Sequence, residues 1–178
     1  MKIFLRISFP LILLIACFGM PQAGHAQTGT VVRVEPSSLA VEPGESFTVV
    51  IIVENVVDLY GFEISVQYDP DLLTVVSVEL GGFLKEGLSF FNIDEDAGIV
   101  NFLNSQTAPA EPQSGTGTLV TIHLLAGFID GVSQIKILEP EGMPIFSDKD
   151  GFEIPCDVEY GSVTVEDVFY TFLPLVVK

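Results

Sequence analysis

Strict alternation along residues 61–68 constrains the fold more than any other feature of this chain. The segment GFEISVQY places large apolar residues at positions 62, 64, 66 and 68, with small or polar residues between them. A period of two is that of a β-strand, whose successive side chains point to opposite faces. We therefore predict a strand with one face in a core. The following Asp69-Pro70 ends it, because the aspartate caps a turn and proline fixes the backbone.

The rest of the chain shows the same kind of segment. Short runs rich in Val, Ile, Thr and Phe are separated by Gly, Pro, Asn and Asp, and no stretch keeps a 3.6-residue period over three turns. We predict nine strands, over residues 31–34, 46–55, 61–68, 72–80, 88–93, 98–104, 118–125, 132–138 and 162–165. Residues 94–97 should form an acidic hairpin turn, and residues 107–117 a loop. This pattern favours an all-β sandwich.

The first 26 residues have the composition of an export signal. Lys2 and Arg6 are their only charged residues, residues 7–18 are almost wholly apolar, and small residues precede a cleavage site at Gln27. We predict a cleaved signal peptide over residues 1–26 and a protein that is secreted or held at a bacterial cell surface. The alternatives are a retained membrane anchor, although the apolar run is shorter than the ~18 residues that spanning needs, and a lipoprotein signal at Cys17.

Loss of residues 1–26 would leave five basic residues against 24 acidic ones. Such a surface repels phosphate, which argues against nucleic acid as a partner. Only one histidine, His123, and one cysteine, Cys156, would remain, too few for a Cys/His zinc site or an intrachain disulfide. No phosphate-binding glycine loop, nucleophile elbow or metalloprotease motif is present. We therefore expect a non-enzymatic protein with no catalytic residues, metal site or cofactor of its own.

The C-terminal segment, residues 167–178, is apolar and contains the sequence VFYTFLPLVV. It is too short to cross a bilayer, so we predict no membrane span in the mature chain. Two interpretations stay open: a last strand packed on the sandwich, and a terminal recognition tail similar to the Leu-Pro tails of some exported bacterial proteins. The domain itself is predicted over residues 27–166.

Four segments, in order along the chain, resemble the cohesin domain family, the non-catalytic modules that capture dockerins in cellulosome-type assemblies. They are VEPGESFTV (41–49), LYGFEISVQYDPDLL (59–73), GIVNFL (98–103) and GTGTLVTI (115–122). The resemblance extends over about residues 31–166 and also relates the chain to the wider superfamily of carbohydrate-binding-module-like sandwiches. It implies a nine-stranded jelly-roll β-sandwich whose open sheet face binds a dockerin-containing protein. Calcium would then belong to the dockerin.

The resemblance also implies partner-binding residues. Glu63 stands where many cohesins carry an acidic contact, whereas Gly61 replaces an asparagine. The period of two adds Ser65 and Gln67 to the face of Glu63. On the strand that follows the acidic hairpin, Asn101 and Leu103 would face the partner. Gln106 stands where a family glutamate often lies. The implied partner-binding set is therefore Glu63, Ser65, Gln67, Asn101, Leu103 and Gln106.

Other interpretations of the acidic and aromatic residues remain open. Residues 92–98 have oxygen ligands at calcium-loop spacing, but Leu103 stands where a bidentate glutamate is required, so a hairpin turn is favoured and weak calcium binding is left open. Polysaccharide is the main rival partner. A planar strip of aromatics is not expected, because the chain has no tryptophan and its four tyrosines are scattered. A structural surface module on the same fold is the third possibility.

Overall fold

The structure, a computed structural model, describes residues 29–84, 87–138 and 145–166. The predicted signal peptide at 1–26 and the apolar tail at 167–178 lie outside these ranges. Within them the chain forms strands and turns, and it has no helix long and apolar enough to cross a membrane. The prediction of an all-β fold is confirmed.

Twelve strands follow one another along the described chain. They are β1 (Thr30–Glu35), β2 (Ser38–Val41), β3 (Ser46–Leu59), β4 (Gly61–Gln67), β5 (Leu73–Leu80), β6 (Leu88–Asp94), β7 (Ile99–Ser105), β8 (Gln113–Ala126), β9 (Gly131–Leu138), β10 (Phe146–Ser147), β11 (Cys156–Glu159) and β12 (Gly161–Val165). All nine predicted strands are present. The three additional strands, β2, β10 and β11, have only two to four residues each, too few for an alternating pattern to mark them.

The strands form two sheets packed face to face. One sheet has the order β11-β1-β3-β8-β5, and the other has the order β2-β12-β9-β4-β7-β6 with β10 paired to β4. Most neighbours are antiparallel, but β1 pairs with β11 and β12 pairs with β2 in parallel. Sequence neighbours therefore often lie in different sheets, and the two sheets bury one core between them.

The core follows from the period of two. In β4 the buried side chains are Phe62, Ile64 and Val66, and Tyr68 just beyond the strand is 5% exposed. They pack with buried Val, Ile and Leu residues of the opposite sheet, including Ile51 and Ile122. Most of these buried residues are β-branched or aromatic, and such residues suit a pleated sheet with one face buried.

Two local predictions have different outcomes. The turn after β4 is confirmed, because the Asp69 Oδ1 atom accepts a hydrogen bond from the Asp71 backbone N–H at 3.0 Å. The predicted loop at residues 107–117 is wrong in its second half, because β8 begins at Gln113. Residues 113–117 pair with the end of β3 across several register shifts. These irregularities remove the alternation by which a strand would be recognised.

Candidate functional site

The outer surface of β4 and β7 brings together five of the six predicted partner-binding residues. The two strands are antiparallel neighbours in a register that pairs Glu63 with Leu103 and Ser65 with Asn101. All four side chains, together with Gln67, are half-buried, whereas Val100 and Phe102 between them are buried in the core. The prediction that Asn101 and Leu103 share the outer surface of β7 is confirmed, while their role in binding remains a prediction.

A side-chain hydrogen bond joins the two strands at the middle of this surface. The Ser65 hydroxyl donates to the Asn101 Oδ1 atom at 2.6 Å. Each side chain therefore has a partner within the domain, and the pair holds both in place before any partner binds. This leaves the Asn101 amide group as a donor toward solvent.

The predicted place of Gln106 on this outer surface is wrong. Its side chain is only 4% exposed, and its Nε2 atom donates to the backbone oxygens of Leu59 at 3.5 Å and Glu111 at 3.2 Å. Gln106 continues the alternation of β7, in which residues 100, 102 and 104 are buried, so its side chain points inward with theirs. Gln106 is therefore a structural residue that a partner could not reach.

Strand β6 adds residues that the sequence-based prediction missed. It is the edge strand beside β7, and its register pairs Phe90 with Leu103 and Asn92 with Asn101. Leu88 is 67% exposed and Phe90 is 63% exposed. The predicted hairpin already implied this register, so counting back from its turn could have found them. We call the outward residues of β4, β6 and β7 the candidate face: Glu63, Ser65, Gln67, Leu88, Phe90, Asn92, Asn101 and Leu103.

A notch in the candidate face lies over Gly61. A Cβ atom at this position would lie 3.3 Å from the Asn104 carbonyl oxygen and 3.3 Å from the Ser147 Oγ atom, with the Ser105 Oγ atom at 3.4 Å. The absence of a side chain thus leaves a shallow depression whose lining also includes Glu63 and Leu103. Two hydroxyl groups and one carboxylate border the notch.

The acidic turn at the end of β6 is a local structural element. The Asp94 Oδ1 atom accepts a hydrogen bond from the Ala97 backbone N–H at 3.0 Å. Burial raises the pKa of the nearby Tyr68 phenol, and the negative charges of Glu95 and Asp94 raise it further. Among the described residues, no group of three or more His, Cys, Asp or Glu side chains is placed to hold a metal ion.

The outer surface of the other sheet differs in character. There the Arg33 Nε atom donates to Glu54 Oε1 at 2.9 Å, and Arg33 also contacts Glu35. The Thr48 hydroxyl lies 3.0 Å from the His123 Nδ1 atom. Polar groups on that surface thus bind one another, although that sheet also exposes Val57 and Val76, at 60% and 62%. The candidate face exposes larger apolar side chains, Leu88 and Phe90, which favour it as a docking surface.

Comparison with known proteins agrees with this architecture. Cellulose-binding protein A of Clostridium cellulovorans is 28% identical over 130 residues, which are 71% of this chain and 7% of that protein. The chain therefore spans a small fraction of this curated relative.

Solved cohesins have the same fold. The OlpC cohesin of Clostridium thermocellum, in complex with the Doc435 dockerin, has a TM-score of 0.68 at 19% identity, covering 78% of this chain and 94% of that one. The third cohesin of ScaC from Acetivibrio cellulolyticus, in complex with a ScaB dockerin mutated in its C-terminal helix, has a TM-score of 0.64 at 15% identity, with coverages of 78% and 99%.

The family assignment rests on a match to the family model itself. The family model for the cohesin domain matches residues 32–165, which begin in β1 and end with β12. The match thus includes both sheets and every strand of the candidate face, and it confirms the resemblance found in the sequence. This chain belongs to the cohesin domain family.

Proposed function

We propose that this chain is a non-catalytic module that binds a calcium-loaded dockerin through the candidate face. The observation that carries the proposal is the match of residues 32–165 to the cohesin domain, since related cohesins are solved in complexes with dockerins. The candidate face supports it, because it is an open sheet surface with exposed apolar side chains along its edge strand β6 and polar ones beside them on β4 and β7.

Binding by this face would depend on the fit between two surfaces and would involve no covalent or catalytic step. A standard interface buries about 800 Å² on each partner, and a few well-packed residues near its centre supply most of the free energy. Leu103 lies between Phe90 and Glu63 in the register, so it is the central anchor. Ser65, Gln67 and Asn101 form the polar rim that hydrogen-bonds or excludes water.

Calcium in this proposal belongs to the partner. Dockerins fold around calcium, so a chelator would unfold the dockerin and abolish binding even though the cohesin needs no ion. Removal of the predicted signal peptide at residues 1–26, which lies outside the described residues, would place the module outside the cell, where such assemblies act on polysaccharide.

The first test is capture of the partner. The chain from residue 27 onward is immobilised and offered the secreted proteins of its source organism, with calcium or with a chelator. We expect recovery of a protein with paired calcium-loop repeats that is lost on chelation. If only polysaccharide is retained, or no such protein is recovered, the polysaccharide-binding or structural alternative replaces this proposal.

The second test assigns the surface. We expect Leu103→Asp combined with Glu63→Lys to weaken affinity for the captured dockerin by about 1,000-fold, since two hot-spot changes of ~2 kcal/mol each cost ~4 kcal/mol together. Val76→Asp is the matched control: Val76 is 62% exposed on β5 of the other sheet, and its change should leave affinity unaltered. Unchanged affinity in the double variant would mean that the dockerin binds elsewhere.

A further inference from the structure

The edge strands of the two sheets differ in how well they resist pairing with another chain. The edges are β11 and β5 in one sheet and β2 and β6 in the other. Natural proteins protect an edge with short strands, bulges, proline or lysine, because its backbone N–H and C=O groups can pair with another strand. Strands β2 and β11 have four residues each, and β5 has a bulge between Val75 and Ser77. Strand β6 has seven residues, no lysine or proline, and an unbroken register with β7. Within the described parts of the chain, no strand pairs with its other side.

Both sides of β6 carry a large aromatic side chain that the domain leaves in solvent. Phe90 is 63% exposed on the outer side, and Phe91 is 56% exposed on the side that faces the other sheet. Phe102, the register partner of Phe91 on β7, is buried in the core. A molecule bound only to the outer surface of the sheet would leave Phe91 in solvent. A strand added along the edge of β6 would cover both rings, because its own side chains alternate between the same two sides.

The placement of charge in β6 allows the added strand to be β6 of a second copy. Its one charged residue is Asp94, at the end of the strand. In an antiparallel pair centred on Phe91, the two Asp94 carboxylates lie six residue positions apart along the strands, or about 20 Å. That separation exceeds the Debye length of ~8 Å at physiological ionic strength. Each Asp94 lies opposite Leu88 of the second copy, whereas a parallel pair would place the two carboxylates side by side.

We infer that two copies of this chain pair through β6, antiparallel about a two-fold axis at Phe91, and join their sheets into one. The two Phe91 side chains become direct cross-strand partners, and the two Phe90 rings become diagonal neighbours at ~7–8 Å, which is within reach of aromatic side chains. The axis is perpendicular to the joined sheet, so both candidate faces point to the same side. Each copy uses its one β6 edge, so the assembly closes as a dimer. The inference does not depend on the proposed function, because the contact requires neither a dockerin nor calcium.

The size and charge of this contact predict a weak dimer that salt strengthens. Seven residues at ~3.3 Å each give an edge about 23 Å long, and so small a contact belongs with transient interfaces, for which we expect a Kd of about 10–100 µM. With 24 acidic and 7 basic residues, two copies repel each other at long range, and salt screens this repulsion. A contact made through ion pairs would weaken under the same change.

The test is sedimentation velocity on the chain from residue 27 onward, with a chelator present. The concentration range is about 5–500 µM, which brackets the expected Kd. We expect a monomer–dimer equilibrium without larger species, and a larger dimer fraction in about 0.5 M than in about 0.05 M NaCl. A monomer at every concentration, open-ended larger species, or a dimer that salt dissociates would overturn the inference and leave dockerin binding untouched.

Opposite charges at residue 91 test the two-fold pairing itself. Phe91→Lys and Phe91→Glu each place like charges opposite one another, so we expect either variant alone to dimerise at least about 10-fold more weakly. An equal mixture of the two should restore a heterodimer. Val76→Lys is the matched control, because Val76 is similarly exposed, at 62%, on the edge strand β5, and its dimer should persist. Circular dichroism checks that each variant is folded. Dimers that persist in both Phe91 variants, or a mixture of folded variants that stays monomeric, would show that the copies do not pair at β6.

Discussion

Strands β6 and β7 are paired along their whole length, yet they have opposite relations to solvent. In β7 every second residue is buried, and Val100 and Phe102 belong to the core. In β6 six of seven residues are exposed, including Phe90 and Phe91 on its two sides. Because β7 lies inside the sheet and β6 at its edge, the same kind of residue is core in one strand and surface in the other. Position in the sheet, rather than local sequence, decides here whether a residue belongs to the core or to the surface.

The sharpest test of this comparison truncates one phenylalanine in each strand and compares the losses of stability. Phe91 and Phe102 are register partners on the inward side of the hairpin, but Phe91 is 56% exposed and Phe102 is 2% exposed. We expect Phe102→Ala to lower the free energy of unfolding by about 3–5 kcal/mol, since it removes a large core side chain and leaves a cavity. Phe91→Ala should cost less than about 1 kcal/mol. Urea denaturation of both variants measures the difference, and similar losses would contradict an edge role for β6.

The turn that joins β6 to β7 gives the next largest effect. Gly98 has a φ of +63°, and a Cβ atom there would lie 2.3 Å from the Tyr68 carbonyl oxygen. We expect Gly98→Ala to destabilise the domain by more than the ~1–2 kcal/mol of left-handed strain alone, because the backbone must also move. Gly151→Ala is the control, with a φ of +82° and no atom within 4 Å of the added carbon. Equal thermal midpoints for the two variants would show that the contact with Tyr68 is not important.

A substitution of Gln106, just beyond β7, tests whether its buried side chain has a structural role. We expect Gln106→Ala to cost about 1–3 kcal/mol, because the carbonyls of Leu59 and Glu111 lose a donor. Its affinity for the captured dockerin should not change. Gln67→Ala, on the candidate face, should show the reverse pattern, with little loss of stability and weaker binding. A loss of affinity in Gln106→Ala at full stability would restore Gln106 to the partner-binding set.

The sequence predicted the parts of this fold that repeat a simple period. The alternation in residues 61–68 correctly placed Glu63, Ser65 and Gln67 on one surface, and the resemblance correctly placed Asn101 and Leu103 on the outer side of β7. These predictions succeeded because β4 and β7 lie inside a sheet with one face on the core, where burial enforces the period.

The parts that were missed depend on tertiary structure. Nothing in the segment LSFFNID says that its strand is an edge, since strand order depends on pairings between distant segments. The hairpin register alone places Leu88 and Phe90 on the side of Leu103, but it does not say that they are exposed. Gln106 was misplaced because its assignment came from the resemblance alone, whereas the period of two in β7 puts it on the buried side with Val100 and Phe102. The short strands β2 and β10 are held by their neighbours rather than by their own residues.

The smallest expected effect concerns the phenol of Tyr68, which packs beside the turn between β6 and β7. Burial and the charges of Glu95 and Asp94 hold its pKa above the ordinary value of 10.0. The folded state therefore favours the neutral phenol. Its contribution to stability is complete below pH 10, the unfolded value, and is lost as the pH rises through the higher folded pKa.

We expect Tyr68→Phe to remove a late step from the tyrosinate absorbance titration and to reduce the alkaline loss of stability. Neutralising the turn with Asp94→Asn and Glu95→Gln should move that step to lower pH by less than unfolding does, because desolvation is the larger cause. If the step does not move, the charges of the acidic turn beside the edge strand do not affect the pKa of the Tyr68 phenol.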